Sequence, residues 1–156
     1  MKKIMFLAVL LMGVFGSTVL ASNDEGISRE AKKAFHKQFP DAEFVTWSKV
    51  KNQEMYMVKF VQDKETQIAY FLEEGDLAVV VRNASTDDMP RSVEKAVKKR
   101  YGSSQIRSIE EMTIDDESSY LFTIDKENTR RYVRIFNDGE VSEIKKETLT
   151  TNKNHQ

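Results

Sequence analysis

Two stretches of the chain carry apolar residues at helical spacing, and after each the period drops to two. Ile27, Ala31, Ala34, Phe35 and Phe39 form the first set; Met89, Val93, Ala96, Val97 and Tyr101 form the second, each displaced by 62 residues. Steps of i, i+4, i+7, i+8 and i+12 put all members of a set on one face of a helix. Ser28 suits the N-cap of the first helix, and Phe39-Pro40 ends it, because a residue before proline avoids helical geometry. Pro90 fits the first turn of the second helix. Lys98, Lys99 and Arg100 complement its negative end, and Gly102 is expected to close it in the left-handed conformation.

The strand pattern is clearest at Ser119 to Asp125, where Tyr120, Phe122 and Ile124 face one way and Ser119, Leu121 and Thr123 the other. Tyr56, Val58 and Phe60 show the same alternation 64 residues earlier, and Gly75 and Gly139, also 64 apart, sit in the turns Glu74-Gly75-Asp76 and Asp138-Gly139-Glu140. Turns of positive φ join antiparallel strands. The growth of the shift from 62 to 64 is read as a two-residue lengthening of a hairpin around Asp115-Asp116-Glu117. Helices are predicted over 28–38 and 90–101. Strands are predicted over 43–50, 54–62, 66–73 and 77–82, then 105–113, 118–126, 129–137 and 140–146. Asn83 to Asp88 reads as a linker.

The expected fold is α+β: a tandem duplication of a helix plus a four-stranded antiparallel sheet, with helices on one face of a curved sheet. The domain reading is a signal peptide at 1–21, a first repeat at 22–86, a second at 87–146 and a polar tail at 147–156.

Lys2 and Lys3 precede the apolar run Ile4 to Met12, small and apolar residues follow to Leu20, and Val19 and Ala21 fit the −3 and −1 positions of a signal-peptidase site. The run also approaches the roughly 20 residues that span a bilayer, so an uncleaved anchor is the competing reading. The small-residue exit favours cleavage after Ala21, delivery to the periplasm or outside, and no membrane insertion thereafter. No cysteine occurs, which excludes disulfides, thiolate metal sites and a lipid-bearing cysteine. Removing residues 1–21 leaves 22 basic and 25 acidic residues, the wrong balance for gripping phosphate backbones, so nucleic acid is not an expected partner.

Lys33-Ala34-Phe35-His36-Lys37-Gln38-Phe39-Pro40-Asp41-Ala42 with Val45-Thr46-Trp47 resembles the "KAF…FP.A..V.W" opening of PepSY-like proteins. These are secreted bacterial proteins described as similar to beta-lactamase inhibitors. Tyr56 to Phe60, Ala69-Tyr70-Phe71, Gly75-Asp76-Leu77, Met89-Pro90-Arg91-Ser92-Val93 and the Tyr120 strand fit as well, although Met89 stands where leucine is usual. The resemblance spans the chain beyond its first 21 residues. It implies a tandem helix-plus-sheet fold, export, no known chemistry, and a protein-binding or inhibitory role for the open sheet face.

Catalytic motifs are missing from the sequence. His36 falls on the polar side of the first helix and His155 in the tail, with no other histidine or cysteine to complete a zinc site. The acidic runs Glu73-Glu74, Asp87-Asp88, Glu110-Glu111 and Asp115-Asp116-Glu117 fall in turns or on alternating strand faces, which suits solvated charge better than a glycosidase pair. No serine sits in a nucleophile elbow and no glycine-rich loop could cradle phosphate. Asn83-Ala84-Ser85 is formally a glycosylation sequon. The expectation is therefore a non-enzyme with no catalytic residue, cofactor or metal.

The opposite sheet face is where function is expected. If Tyr56, Val58 and Phe60 face the helix, then Met55, Met57 and Val61 face away, as do Tyr70, Tyr132 and Arg134. Met55, Met57, Tyr70, Tyr132 and Arg134 are the candidate protein-contact residues, since methionine repacks readily and tyrosine adds area at low entropic cost. The competing reading is that the other copy or a second molecule covers this face. Trp47 lies in a poorly alternating strand and is ambiguous, a plain core position being the other reading. The predicted function is an exported protein-binding module, an inhibitor or regulator of a secreted or periplasmic enzyme. The alternative is a small-ligand binder or envelope sensor that uses a groove between the copies.

Overall fold

The structure, a computed structural model, describes residues 26–149. The signal-like segment 1–21, its cleavage position after Ala21, and His155 lie outside the described residues. Helix α1 (Arg29–Gln38) starts at Ser28, whose Oγ accepts the Ala31 N–H at 3.1 Å, and leaves helical geometry at Phe39, before Pro40. Four strands follow: β1 (Glu43–Lys49), β2 (Met55–Gln62), β3 (Glu65–Leu72) and β4 (Leu77–Asn83). After a 3-10 turn at Thr86–Asp88 come α2 (Arg91–Tyr101), β5 (Gln105–Ile114), β6 (Glu117–Lys126), β7 (Thr129–Phe136) and β8 (Val141–Thr148). Among the described residues no helix is long and apolar enough to cross a membrane.

The expected α+β class of paired four-stranded sheets is corrected. Among the described residues the eight strands hydrogen-bond in chain order, β1-β2-β3-β4-β5-β6-β7-β8, as one antiparallel sheet, and the two helices are only 10 and 11 residues long, so the fold is mostly β. Within hairpins, antiparallel neighbours need only tight turns, and the chain supplies them at Asp63-Lys64 (φ 53° and 68°) and Asp115-Asp116 (φ 48° and 65°), while β4 and β5 are connected through the 3-10 turn and α2. One eight-stranded sheet also has two unpaired edges where two four-stranded sheets would have four.

Several local expectations change too. The Asp115-Asp116 connection is a two-residue turn; the added length lies in β5 and β6, each 10 residues against 7 and 8 in β1 and β2. Gly102 is right-handed (φ −59°), and a Cβ there would come within 2.5 Å of the Lys98 carbonyl oxygen, so crowding rather than handedness demands glycine. The supposed linker is tied down. The Ser85 N–H donates to Asp88 Oδ2 at 2.8 Å, and the Tyr120 hydroxyl donates to the Asp88 carbonyl at 3.1 Å.

The described residues divide into two compact units, 26–82 with 113–116, and 83–112 with 117–149. In the first, Ala31 and Phe35 of α1 join Trp47, Tyr56, Val58, Phe60, Ala69 and Phe71 in a buried cluster. Phe35 is its hub: its ring lies 5.4 Å from Trp47, 5.1 Å from Phe60 and 6.2 Å from Phe71, all edge-to-face. In the second, Val93 and Val97 of α2 join Tyr120, Phe122, Ile124, Val133 and Ile135.

Each helix start is pinned to a hairpin turn. Ser28 Oγ donates to the Glu73 carbonyl at 2.7 Å, and Ser92 Oγ donates to the Asn137 carbonyl. The turn glycines Gly75 (φ 96°) and Gly139 (φ 90°) come so close to those helix starts that a Cβ would sit 2.8 Å from the Glu30 carbonyl oxygen or 3.2 Å from that of Ser92. Both need glycine for handedness and for space.

Candidate functional site

Strand register settles which side chains share a face. In the first unit Met57 lies opposite Ser48 on one side and Tyr70 on the other, and Tyr70 lies opposite Val79. Met55, Met57, Tyr70, Val79 and Val81 therefore line the face opposite Tyr56, Val58 and Phe60. Met55 is 4% exposed and Tyr70 6%, while Met57 is half-buried. Little of this apolar face reaches solvent. Trp47 sits on the other side, buried against Phe35.

In the second unit the equivalent parity brings together Ser119, Leu121, Thr123 and Asp125 of β6 with Phe136, Arg134, Tyr132 and Arg130 of β7. Here the face is polar and cross-linked. Asp125 is buried and takes Arg107 Nε at 2.7 Å, Arg130 Nε at 2.8 Å and Arg130 Nη2 at 2.9 Å. Hydrogen bonds from Arg130 and then Arg107 hold its carboxyl well below the usual carboxylate range. Glu147 accepts from the Tyr132 hydroxyl at 2.8 Å and pairs with Lys145 Nζ at 2.6 Å, and these two bonds lower its pKa. Burial, with the bond to Glu147, pushes the Tyr132 hydroxyl up. Lys145 also lies 5.4 Å from the Tyr132 ring centroid.

Arg134 is different. Its Nε donates to Ser119 Oγ at 2.9 Å, its guanidinium carbon sits 4.5 Å from the Phe136 ring centroid, and the residue is only 9% exposed. Burial alone lowers its pKa.

Beside Asp125 the surface opens into a hollow of about 450 Å³ lined by Ser103, Gln105, Arg107, Asp125, Lys126, Glu127 and Leu149. Both Asp125 oxygens already serve the two arginines, which limits what this hollow offers a ligand. His36 is exposed against the edge of Phe35. Among the described residues no cluster of histidine, aspartate or glutamate could hold a metal ion.

One residue escaped the sequence reading. Phe44 is 80% exposed and has φ 52°, the left-handed region that bulky side chains rarely enter. It is part of a β-bulge: Glu43 faces Val61 and Thr46 faces Lys59, so β1 spends three steps where β2 spends two. The extra residue re-aims the side chain, as bulges at sheet edges do. β1 is an edge strand. The signal was present in the sequence, since Phe44 falls in phase with polar Thr46 and Ser48 while Val45 and Trp47 hold the apolar phase.

No family model matches the sequence, and no curated protein matches it. Solved structures do. A DUF2874 family protein from Bacteroides uniformis ATCC 8492 aligns with TM-score 0.67 at 17% identity, covering 81% of this chain and 92% of that one. A protein from Bacteroides eggerthii DSM 20697, provisionally described as periplasmic, aligns with TM-score 0.67 at 15% identity over 81% and 91%. A BLIP-like protein from Bacteroides fragilis NCTC 9343 aligns with TM-score 0.66 at 13% identity over 83% and 91%. At such identities the likeness concerns the fold, and the chain has the fold of these BLIP-like and DUF2874 proteins.

Proposed function

We propose that the chain is an exported, non-enzymatic protein-binding module, PepSY-like in kind, that restrains or regulates a secreted or periplasmic enzyme. Phe44 carries this reading. A bulky residue held left-handed costs about 1–3 kcal/mol, and here the bulge that imposes it leaves an aromatic ring 80% exposed. Exposed aromatics that fill a partner's pocket are the usual anchors of protein interfaces. The signal-like residues 1–21, the provisionally periplasmic neighbour and the BLIP-like neighbour support the location and the kind of role. In the second unit Asp125 and Glu147 are committed to arginine, lysine and tyrosine partners, which speaks for recognition at this face.

The test compares the wild type with Phe44→Gly and Phe44→Ala for capture of envelope enzymes and for their turnover. Phe44→Gly relieves the left-handed strain and should raise stability by about 1 kcal/mol. The same substitution should weaken partner binding at least tenfold and restore the partner's turnover. A partner held equally well by both variants refutes the reading.

A further inference from the structure

We infer that Arg134 is a receptor for a carboxylate supplied by a protein partner; this deepens the protein-binding reading and rests on it. The guanidinium is held from two sides. Nε is fixed by Ser119, whose own hydroxyl donates to the Met112 carbonyl at 3.5 Å, and the plane rests on Phe136. Among the described residues no carboxylate pairs with Arg134, and its terminal nitrogens are not among the polar atoms sealed from solvent without a partner. A fork of N–H groups is thus oriented, largely desolvated and unspent.

The neighbouring charges explain why no internal anion fills the role. Asp125 is consumed by Arg107 and Arg130, and Glu147 by Lys145 and Tyr132. Arg134 bonds to neither carboxylate, its partners being Ser119 and the Phe136 ring. An uncompensated buried cation is costly and gains most from an anion that brings its own hydrogen-bond acceptors. A guanidinium meets a carboxylate through two parallel N–H···O bonds. A single guanidinium stacked on Phe136, with no carboxylate partner among the described residues, matches one negative charge, hence an aspartate or glutamate side chain rather than a phosphate dianion.

Nuclear magnetic resonance on the full chain, following the arginine Nε–H signals, tests this with three probes: an acetylated, amidated hexaglutamate peptide, its hexaglutamine counterpart, and inorganic phosphate. Hexaglutamate should shift the Arg134 signal saturably, and hexaglutamine should not. Arg134→Met, which fills the same space without charge, should keep the melting temperature and weaken hexaglutamate at least tenfold. Arg134→Lys should restore only part of the loss. An unshifted Arg134 signal, equal affinity in Arg134→Met, or tighter binding of phosphate than of hexaglutamate would each overturn the assignment. Phe44→Gly should leave the titration unchanged. Failure here alongside intact Phe44-dependent capture would remove the carboxylate receptor and spare the docking reading.

Discussion

The two units share an order of elements but spend their side chains differently. The first builds its core from rings, with Phe35, Trp47, Phe60 and Phe71 meeting edge to face, and lines the opposite face with Met55, Met57, Tyr70, Val79 and Val81. The second packs the aliphatic Val93, Val97, Ile124, Val133 and Ile135 with Tyr120 and Phe122 in the core and places an arginine, carboxylate and tyrosine network on the opposite face. The backbone demands apolar residues only at the positions that bury against a helix. The other face can change chemistry without changing the strand order, and that freedom lets one face become apolar and the other charged.

The largest expected effect tests the cores. Phe35→Ala should cost about 3–5 kcal/mol, because it removes the ring that the other aromatics surround. Val93→Ala should cost about 1.5–2 kcal/mol, at roughly 0.8 per buried methylene. Urea unfolding followed by circular dichroism measures both. Equal losses would mean that the aromatic cluster has no special weight.

A middle-sized effect concerns the turns that the units hold in common. Gly75→Ala should destabilise by about 1–3 kcal/mol, since it combines left-handed strain with a backbone clash. Gly139→Ala should lie at the lower end, because its Cβ would stand 3.2 Å rather than 2.8 Å from the facing carbonyl oxygen. Thermal melts that place Gly139→Ala below Gly75→Ala would break that ranking.

The smallest effect belongs to the charged face alone. Asp125 has a folded pKa held below its ordinary value of 3.8, so its contribution is complete above that value and fades as the pH falls toward the folded one. Asp125→Asn should therefore lower the melting temperature at neutral pH, with the gap to wild type closing below about pH 4. Arg107 and Arg130 keep access to water, which limits the loss. A gap that persists unchanged into acid would show that the carboxylate's charge is not what matters.

Much of the fold was legible because side-chain period is a local property. The stripes at Ile27 to Phe39 and Met89 to Tyr101 fall on helices, and the alternations at Tyr56 and Tyr120 on strands, within a residue or two of their predicted ends. Phe44 was the informative exception. Its anomaly is a backbone angle, visible in sequence only as an apolar residue out of phase with Val45 and Trp47. The candidate face was legible in membership but not in exposure: register does unite Met57 with Tyr70 and Leu121 with Arg134, yet Met55, Tyr70 and Arg134 are largely withdrawn from solvent.

Local spacing, by itself, determined where helices, strands and turns fall, because dihedral preferences and burial periodicity act over a few residues. Only the tertiary structure decided that the strands join as one eight-stranded sheet, that Asp125 gathers Arg107 and Arg130, and that Arg134 keeps unspent donors. Those outcomes depend on which distant segments satisfy each other's hydrogen bonds and charges. Pairing of that kind is a property of the folded chain, since residues far apart in sequence must compete for the same partners.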